Sequence, residues 1–270
     1  MARIITIANN KGGVGKTTTA VSLGAALRSR GYDVLIIDYD GQANVTEALR
    51  VPTSGGTTYD TMKARTAPYV PPVRVLAAEG SAGVLDVLPS CSDLSALELE
   101  LSNQTDRVTR FSSVVDKYRD KYDAVIVDTP PTLGLLTVSA LYATDEMFIT
   151  VQPQYLAVKG LLTLYDAVNT IAGNRGEPLE PYVLFTQYDR RKGLHRLTVE
   201  QVEAAGFRAF QTKIRDNVAL GEAPAAGVDI FRYAPRSNGA QDYDALTDEY
   251  LNARKLRHVK HARAKQVKSK

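Results

Sequence analysis

Short apolar runs alternate along the chain with longer segments whose apolar residues recur at helical spacing. That alternation predicts an α/β architecture, a parallel sheet whose strands are joined by crossover helices. Ile4–Ala8 reads as the first strand, and Thr17–Arg30 as a helix with Ala20, Leu23, Gly24 and Leu27 along one side and Gly31 as its stop. Val34–Asp38 and Ala124–Asp128 are apolar on both faces, the mark of buried strands. Val84–Pro89, Met147–Val151 and Tyr182–Gln187 read as further strands. Helices are expected over Leu133–Ala143, Leu156–Ala172, Leu197–Ala205 and Ala240–His261, and Ser92 or Asp93 is expected to cap one long helix reaching toward Lys121. Residues 51–82, rich in Gly, Pro, Thr and Ala, predict loops with a short helix near Tyr59–Lys63. No internal repeat or linker divides the chain. The expectation is a single doubly wound, mainly parallel sheet with helices on both faces, formed by residues 1–253 and followed by a tail, 254–270.

Composition changes that picture in two places. One cysteine, Cys91, excludes an internal disulfide or a cysteine-rich metal site within one chain. No apolar run approaches the roughly 20 residues of a membrane span, and the apolar run before the glycine loop is too short for a signal peptide, so a cytoplasmic protein is expected. The overall charge of +3 hides an asymmetry. Eight lysines and arginines and no acid lie between Arg254 and Lys270, which leaves residues 1–253 at −5. Basic tails of this kind suit polyanions.

The chemistry concentrates at Lys11-Gly12-Gly13-Val14-Gly15-Lys16-Thr17-Thr18, set between the first strand and the first helix. Such a turn aims several backbone N–H groups at one anion, and the helix N-terminus adds its positive dipole end. Gly12, Gly13 and Gly15 allow the close approach, Lys16 suits the β- and γ-phosphates of ATP, and the Thr17 hydroxyl suits Mg²⁺. The usual phosphate-loop pattern would place glycine where Asn10 stands. Asp38 and Asp128 end two buried strands, and Asp40 follows two residues after Asp38. Carboxylates at the C-terminal edge of a parallel sheet face its ligand site, so Asp128 is expected to hold Mg²⁺ through a water.

These motifs together resemble the ParA/MinD family of deviant Walker ATPases, the Soj-like ParA proteins most of all. The resemblance runs through Leu35–Thr46, Val127-Asp128-Thr129-Pro130-Pro131, Gln187-Tyr188-Asp189-Arg190-Arg191, Asn217–Pro224 and Asn238-Gly239-Ala240, nearly the whole chain. It implies an ATP-bound homodimer in which Lys11 reaches the phosphates held by the partner subunit. It also implies that Asp40 positions the attacking water, that Asp38 sits near the metal with Thr17, and that Gln187 belongs to the nucleotide site. Hydrolysis would be slow and accelerated by a ParB-like activator. The sequence departs from the family at Gly41 and Ala43, where Pro and Gly are usual, and at Gln154 and Lys159, where acids are common. It departs again at Ile214-Arg215-Asp216-Asn217, which lacks the usual proline, and at Ala219, where many relatives carry an arginine.

The cargo-facing expectation is ATP-dependent, sequence-independent DNA binding through Arg190, Arg191, Arg236, Arg254, Lys255 and Arg257. Phosphate contacts need positive charge and no reading of bases. A MinD-like membrane cycle is the alternative, but the tail offers only Leu256, Val259 and Val267 as sizeable apolar side chains, too few for insertion. The iron-protein reductases that share the loop need two cysteines per chain, and one is present.

Overall fold

A computed structural model describes residues 1–254 except positions 65, 67 and 177. In chain order its elements are β1 (Arg3–Ala8), α1 (Lys16–Ser29), β2 (Val34–Asp38), α2 (Asn44–Ala48), α3 (Thr58–Lys63), β3 (Val73–Leu76) and β4 (Leu85–Leu88). There follow α4 (Leu97–Leu101), α5 (Arg110–Asp116), β5 (Ala124–Asp128), α6 (Leu135–Ala143), β6 (Glu146–Val151) and α7 (Ala157–Arg175). The last are β7 (Tyr182–Phe185), α8 (Gly193–Ala204), α9 (Val218–Ala226), α10 (Ile230–Tyr233) and α11 (Asn238–Arg254).

The strands form one sheet in the order β3-β4-β2-β5-β1-β6-β7, parallel throughout except for β3, which runs antiparallel on the edge beside β4. Successive side chains of β1 serve different layers. Ile5 and Ile7 pack with α1 and α11 residues such as Leu23 and Tyr250. Ile4 packs on the other face with Phe111, Val114 and Ala140 of α5 and α6. Both faces are therefore covered, which is why these strands read as continuous apolar runs. A third cluster seats α7 and α8 on β6 and β7 through Leu161, Leu164, Val183 and Val202.

Register positions the functional edge. Ile7 lies opposite Asp128, and Asp38 lies opposite Asp128 on the other side. β1, β2 and β5 thus end level with one another, which brings the glycine loop and two carboxylates to one place.

Three expectations need correction. The long helix from Ser92 to Lys121 is instead a 3₁₀ turn at Ser92–Ser95, then α4 and α5, separated by Ser102–Thr109. Residues 102–106 read Ser-Asn-Gln-Thr-Asp, weak helix formers whose side chains compete for backbone groups; the Ser102 hydroxyl does so by donating to the Leu99 carbonyl. The segment 51–82 holds a strand, β3, besides the expected short helix. Helices α2 and α9 form in stretches that carried motifs but no helical periodicity, and α10 forms in a stretch for which the sequence predicted no element. The expected continuation of the last helix to His261 lies outside the described residues.

Candidate functional site

Gly13 (φ +72°) and Gly15 (φ +81°) take left-handed backbone angles that let the loop curl over the start of α1. The loop is held from outside by the end of β7. Thr186 Oγ1 donates to the Val14 carbonyl at 2.9 Å, and Gln187 Nε2 donates to the Gly13 carbonyl at 2.7 Å. Gln187 itself adopts φ +51° to reach it. Gln187, expected in the nucleotide site, braces the loop backbone and also lines the hollow beside Gly15.

Lys16 opens α1 and is buried, its Nζ donating to the Lys11 carbonyl at 3.2 Å. Burial pulls its ammonium pKa down, while the charges of Asp128 and Asp40 oppose that fall. Beside it, Thr17 Oγ1 donates to Asp128 Oδ2 at 2.7 Å. Asp128 is fully buried, and its second oxygen, Oδ1, has no partner among the described residues. Desolvation, and then the nearby Asp38 charge, hold the Asp128 carboxyl well above the ordinary carboxylate range. A buried, unpartnered carboxylate oxygen beside a hydroxyl fits a hard divalent cation, which relieves both the desolvation and the repulsion. Among the described residues no three His, Cys, Asp or Glu side chains form a metal cage. Magnesium at a phosphate site does not require one, because phosphates and waters fill most of its sphere.

Asp38 and Asp40 are both buried, but their oxygens are engaged differently. Asp38 Oδ2 accepts the backbone N–H of Thr46 at 2.8 Å and the Thr46 hydroxyl at 2.7 Å, and Oδ1 accepts the Asp40 N–H at 3.4 Å. Burial pushes its pKa up to about 6 against these hydrogen bonds. Asp38 thus shapes the loop after β2. Asp40 keeps one carboxylate oxygen for that loop, accepting the Gln42 N–H at 3.0 Å, while its carbonyl accepts the Ser90 hydroxyl. Of the family departures in this loop, Gly41 has a local cause and Ala43 does not. A Cβ on Gly41 would stand 2.8 Å from the Ser95 backbone nitrogen, so a side chain there cannot be seated without moving the 3₁₀ turn. Ala43 sits at φ +54°, a conformation that glycine takes more cheaply.

On the far side of Gly15 a hollow of about 320 Å³ is lined by Thr18, Gln187, Asp216, Asn217 and Tyr243. Asn217 Oδ1 is buried there without a partner among the described residues. Sequence reasoning registered this stretch as part of the family resemblance and as lacking a proline, without assigning Asn217 a role; the orphaned acceptor becomes visible only when the fold closes over it.

Lys11 stands on the exposed rim, and its Nζ donates to Gln154 Oε1 of the same chain. The two positions singled out separately in the sequence therefore meet. Next to them lies a mostly apolar hollow of about 390 Å³ that includes Val14, Leu161 and Leu164, with Tyr155 and Leu156 exposed at its mouth.

The basic residues divide. Arg190, Arg191 and Asn238 line one polar hollow of about 520 Å³, and Arg236 lies two residues before Asn238. Arg190 is exposed, and its guanidinium has no partner among the described residues. Arg191 is not free in this way: Nε and Nη2 donate to the two Asp189 oxygens, each at 3.0 Å. That contact holds the Asp189 carboxyl down at about 2. Arg196, which the sequence reading passed over, donates to the Arg190 carbonyl at 2.8 Å from the first turn of α8. Arg254 closes α11, while Lys255 and Arg257 lie outside the described residues. No described helix is long and apolar enough to cross a membrane.

A family model described as an AAA domain matches residues 2–180. The sporulation initiation inhibitor protein Soj of Bacillus subtilis is 38% identical over 92% of this chain and 98% of its own length. The chromosome partitioning protein ParA of Caulobacter vibrioides is 36% identical over 96% of this chain and 98% of its own. Among solved structures, the cobyrinic acid a,c-diamide synthase of Mycobacterium smegmatis with bound ADP and magnesium superposes with a TM-score of 0.78 and 27% identity, over 95% of this chain and 96% of that one.

Proposed function

The chain belongs to the ParA/Soj family of P-loop ATPases, and on that premise we propose that it is a partition switch driven by ATP and Mg²⁺. In this reading the ATP-bound protein is a homodimer that holds DNA without regard to sequence. Slow hydrolysis, stimulated by a ParB-like activator, releases it, and the cycle moves or positions a plasmid, chromosome or other cargo.

The observation that carries the nucleotide half is buried Asp128, bonded to the Thr17 hydroxyl and with its other oxygen unpartnered among the described residues, next to Lys16. Lys16 would lie along the β- and γ-phosphates, with Gly12–Gly15 N–H groups around them. Thr17 would ligate Mg²⁺, with Asp128 holding it directly or through a water; the metal supplies charge to the phosphoryl oxygens. Asp38 fixes the loop that carries Asp40, and Asp40 orients the attacking water. Asn217 Oδ1, an acceptor, suits the amino group of adenine and disfavours the carbonyl that guanine presents at that edge. Lys11 must leave Gln154 to reach a partner subunit's phosphates, where it adds positive charge as negative charge develops.

Three variants test the assignment. Lys16→Ala should lose ATP binding in equilibrium titration. Asp40→Ala should bind ATP and stay dimeric by light scattering while hydrolysis stops; normal turnover would remove Asp40 from the mechanism. Lys11→Ala should keep ATP binding but lose turnover or the stable dimer. The DNA half rests on the exposed Arg190 group and the basic tail. Four neutralised phosphates predict a slope of roughly −3.6 for log affinity against log salt. Equal retention with ADP and ATP, or a flat salt response, would refute it, and retention on anionic vesicles in place of DNA would favour the membrane cycle.

A further inference from the structure

The loop between β7 and α8 is held largely through its backbone groups, which bond to one another, to the Asp189 side chain and to the segment before α9. Tyr188 N–H donates to the Ile214 carbonyl, the Asp216 N–H donates to the Tyr188 carbonyl, and the Lys192 N–H donates to the Asp189 carbonyl. The Arg191 N–H donates to Asp189 Oδ1 at 2.9 Å. One donor differs. The Asp189 N–H, immediately before Arg190, donates to His195 Nδ1 at 3.0 Å, a side chain on the first turn of α8. His195 is only 7% exposed and packs against the Tyr188 ring, with centroids 6.0 Å apart.

An imidazole nitrogen that accepts a hydrogen bond carries no proton, so this contact requires neutral His195 with its hydrogen on Nε2. A protonated ring would set two N–H groups against each other at that point, and the loop would lose its anchor. We propose that His195 is a positioning residue for the basic loop: in its neutral form it sets the backbone that presents Arg190 and Arg196 to DNA phosphates, and its protonation releases that backbone. This rests on the DNA reading of the loop given above.

The surroundings keep the ring neutral near pH 7. Burial and the Lys192 charge disfavour the imidazolium, while Asp189 on the loop and Asp216 on the segment before α9 favour it. Burial dominates, and the pKa falls below its usual value. The folded state then binds fewer protons than the unfolded one, so the contact contributes in full above about pH 6.5 and is lost on acidification below it. A simple surface cation predicts the opposite sign, because added positive charge tightens DNA binding.

Retention of a fluorescent duplex of arbitrary sequence, measured with a non-hydrolysable ATP analogue at about pH 7.5 and 5.5, separates the two. Wild type should weaken by about fivefold on acidification, the scale of one lost hydrogen bond. His195→Asn, which keeps an acceptor near the Nδ1 position and cannot titrate, should bind like wild type at the higher pH and escape that loss. Tighter binding of wild type on acidification, or an identical profile for His195→Asn, would overturn the proposal. The Asp189 amide resonance reads the same contact without DNA: it should titrate in wild type and stay still in His195→Asn, and a pH-independent wild-type amide would also overturn it. If Arg190→Ala left retention unchanged, the DNA assignment of the loop would fail, and the Asp189 amide would still decide the role of His195.

Discussion

At the scale of single residues, the edge of the sheet is held in a state that only charge can relieve. Asp128 is buried with one oxygen unpartnered, and Asp38 lies opposite it in register. Asp128→Asn should therefore raise the unfolding midpoint of the nucleotide-free, chelator-treated protein by about 2–4 °C, the effect of ~1 kcal/mol in a chain of this size. The same variant should lose magnesium-dependent hydrolysis, so calorimetry and turnover should move in opposite directions. Ala43→Gly removes a left-handed alanine at φ +54°. It should stabilise by about 0.5–1 kcal/mol in urea unfolding, the strain relieved minus the extra freedom of glycine in the unfolded chain. Lys16, Thr17 and Asp128 are legible in the sequence because a glycine loop between a strand and a helix admits few other uses. Thr46, Thr186, Asn217 and His195 are not, since each acts through a hydrogen bond or a hollow that exists only after distant segments meet.

At the scale of elements, apolar runs were enough to locate the buried strands, and the helices packed on them follow from their periodicity. What periodicity could not convey is where a helix yields to local polar chemistry. Between α4 and α5 the Asp106 carboxylate turns to grip Arg110, with contacts of 2.7–3.1 Å, and so begins a new helix rather than extending the old one. The strand β3 escaped notice because Pro71-Pro72 precede it and only three of its four residues pair with β4. Helix α9 escaped because Gly221 and Pro224 lie inside it, and it stops at Gly227 (φ +76°). A cap supplied from another element is equally invisible: the N–H of Leu136, in the first turn of α6, donates to Glu98 Oε1 of α4 at 3.0 Å. Glu98→Ala should cost about 1 kcal/mol, the scale of a lost N-terminal cap. Glu98→Gln, which keeps an acceptor, should recover most of it by the same denaturation measurement.

At the scale of the whole molecule, the nucleotide grip and the basic loop are not separate regions joined at a distance. Thr186 and Gln187 hold the carbonyls of Val14 and Gly13, and Asp189 and Arg190 follow within three residues. One short stretch of backbone therefore belongs to both surfaces. Binding free energies joined through such a stretch obey reciprocity: on the proposed DNA reading, the factor by which ATP tightens the hold on DNA must equal the factor by which DNA tightens the hold on ATP. Titrating a fluorescent ATP analogue into the protein with and without saturating duplex should give that same ratio. Gln187→Ala, which cuts one of the two ties, should bring both ratios toward unity together. The strand end that braces the phosphate loop is, in this protein, also the start of the loop that carries Arg190.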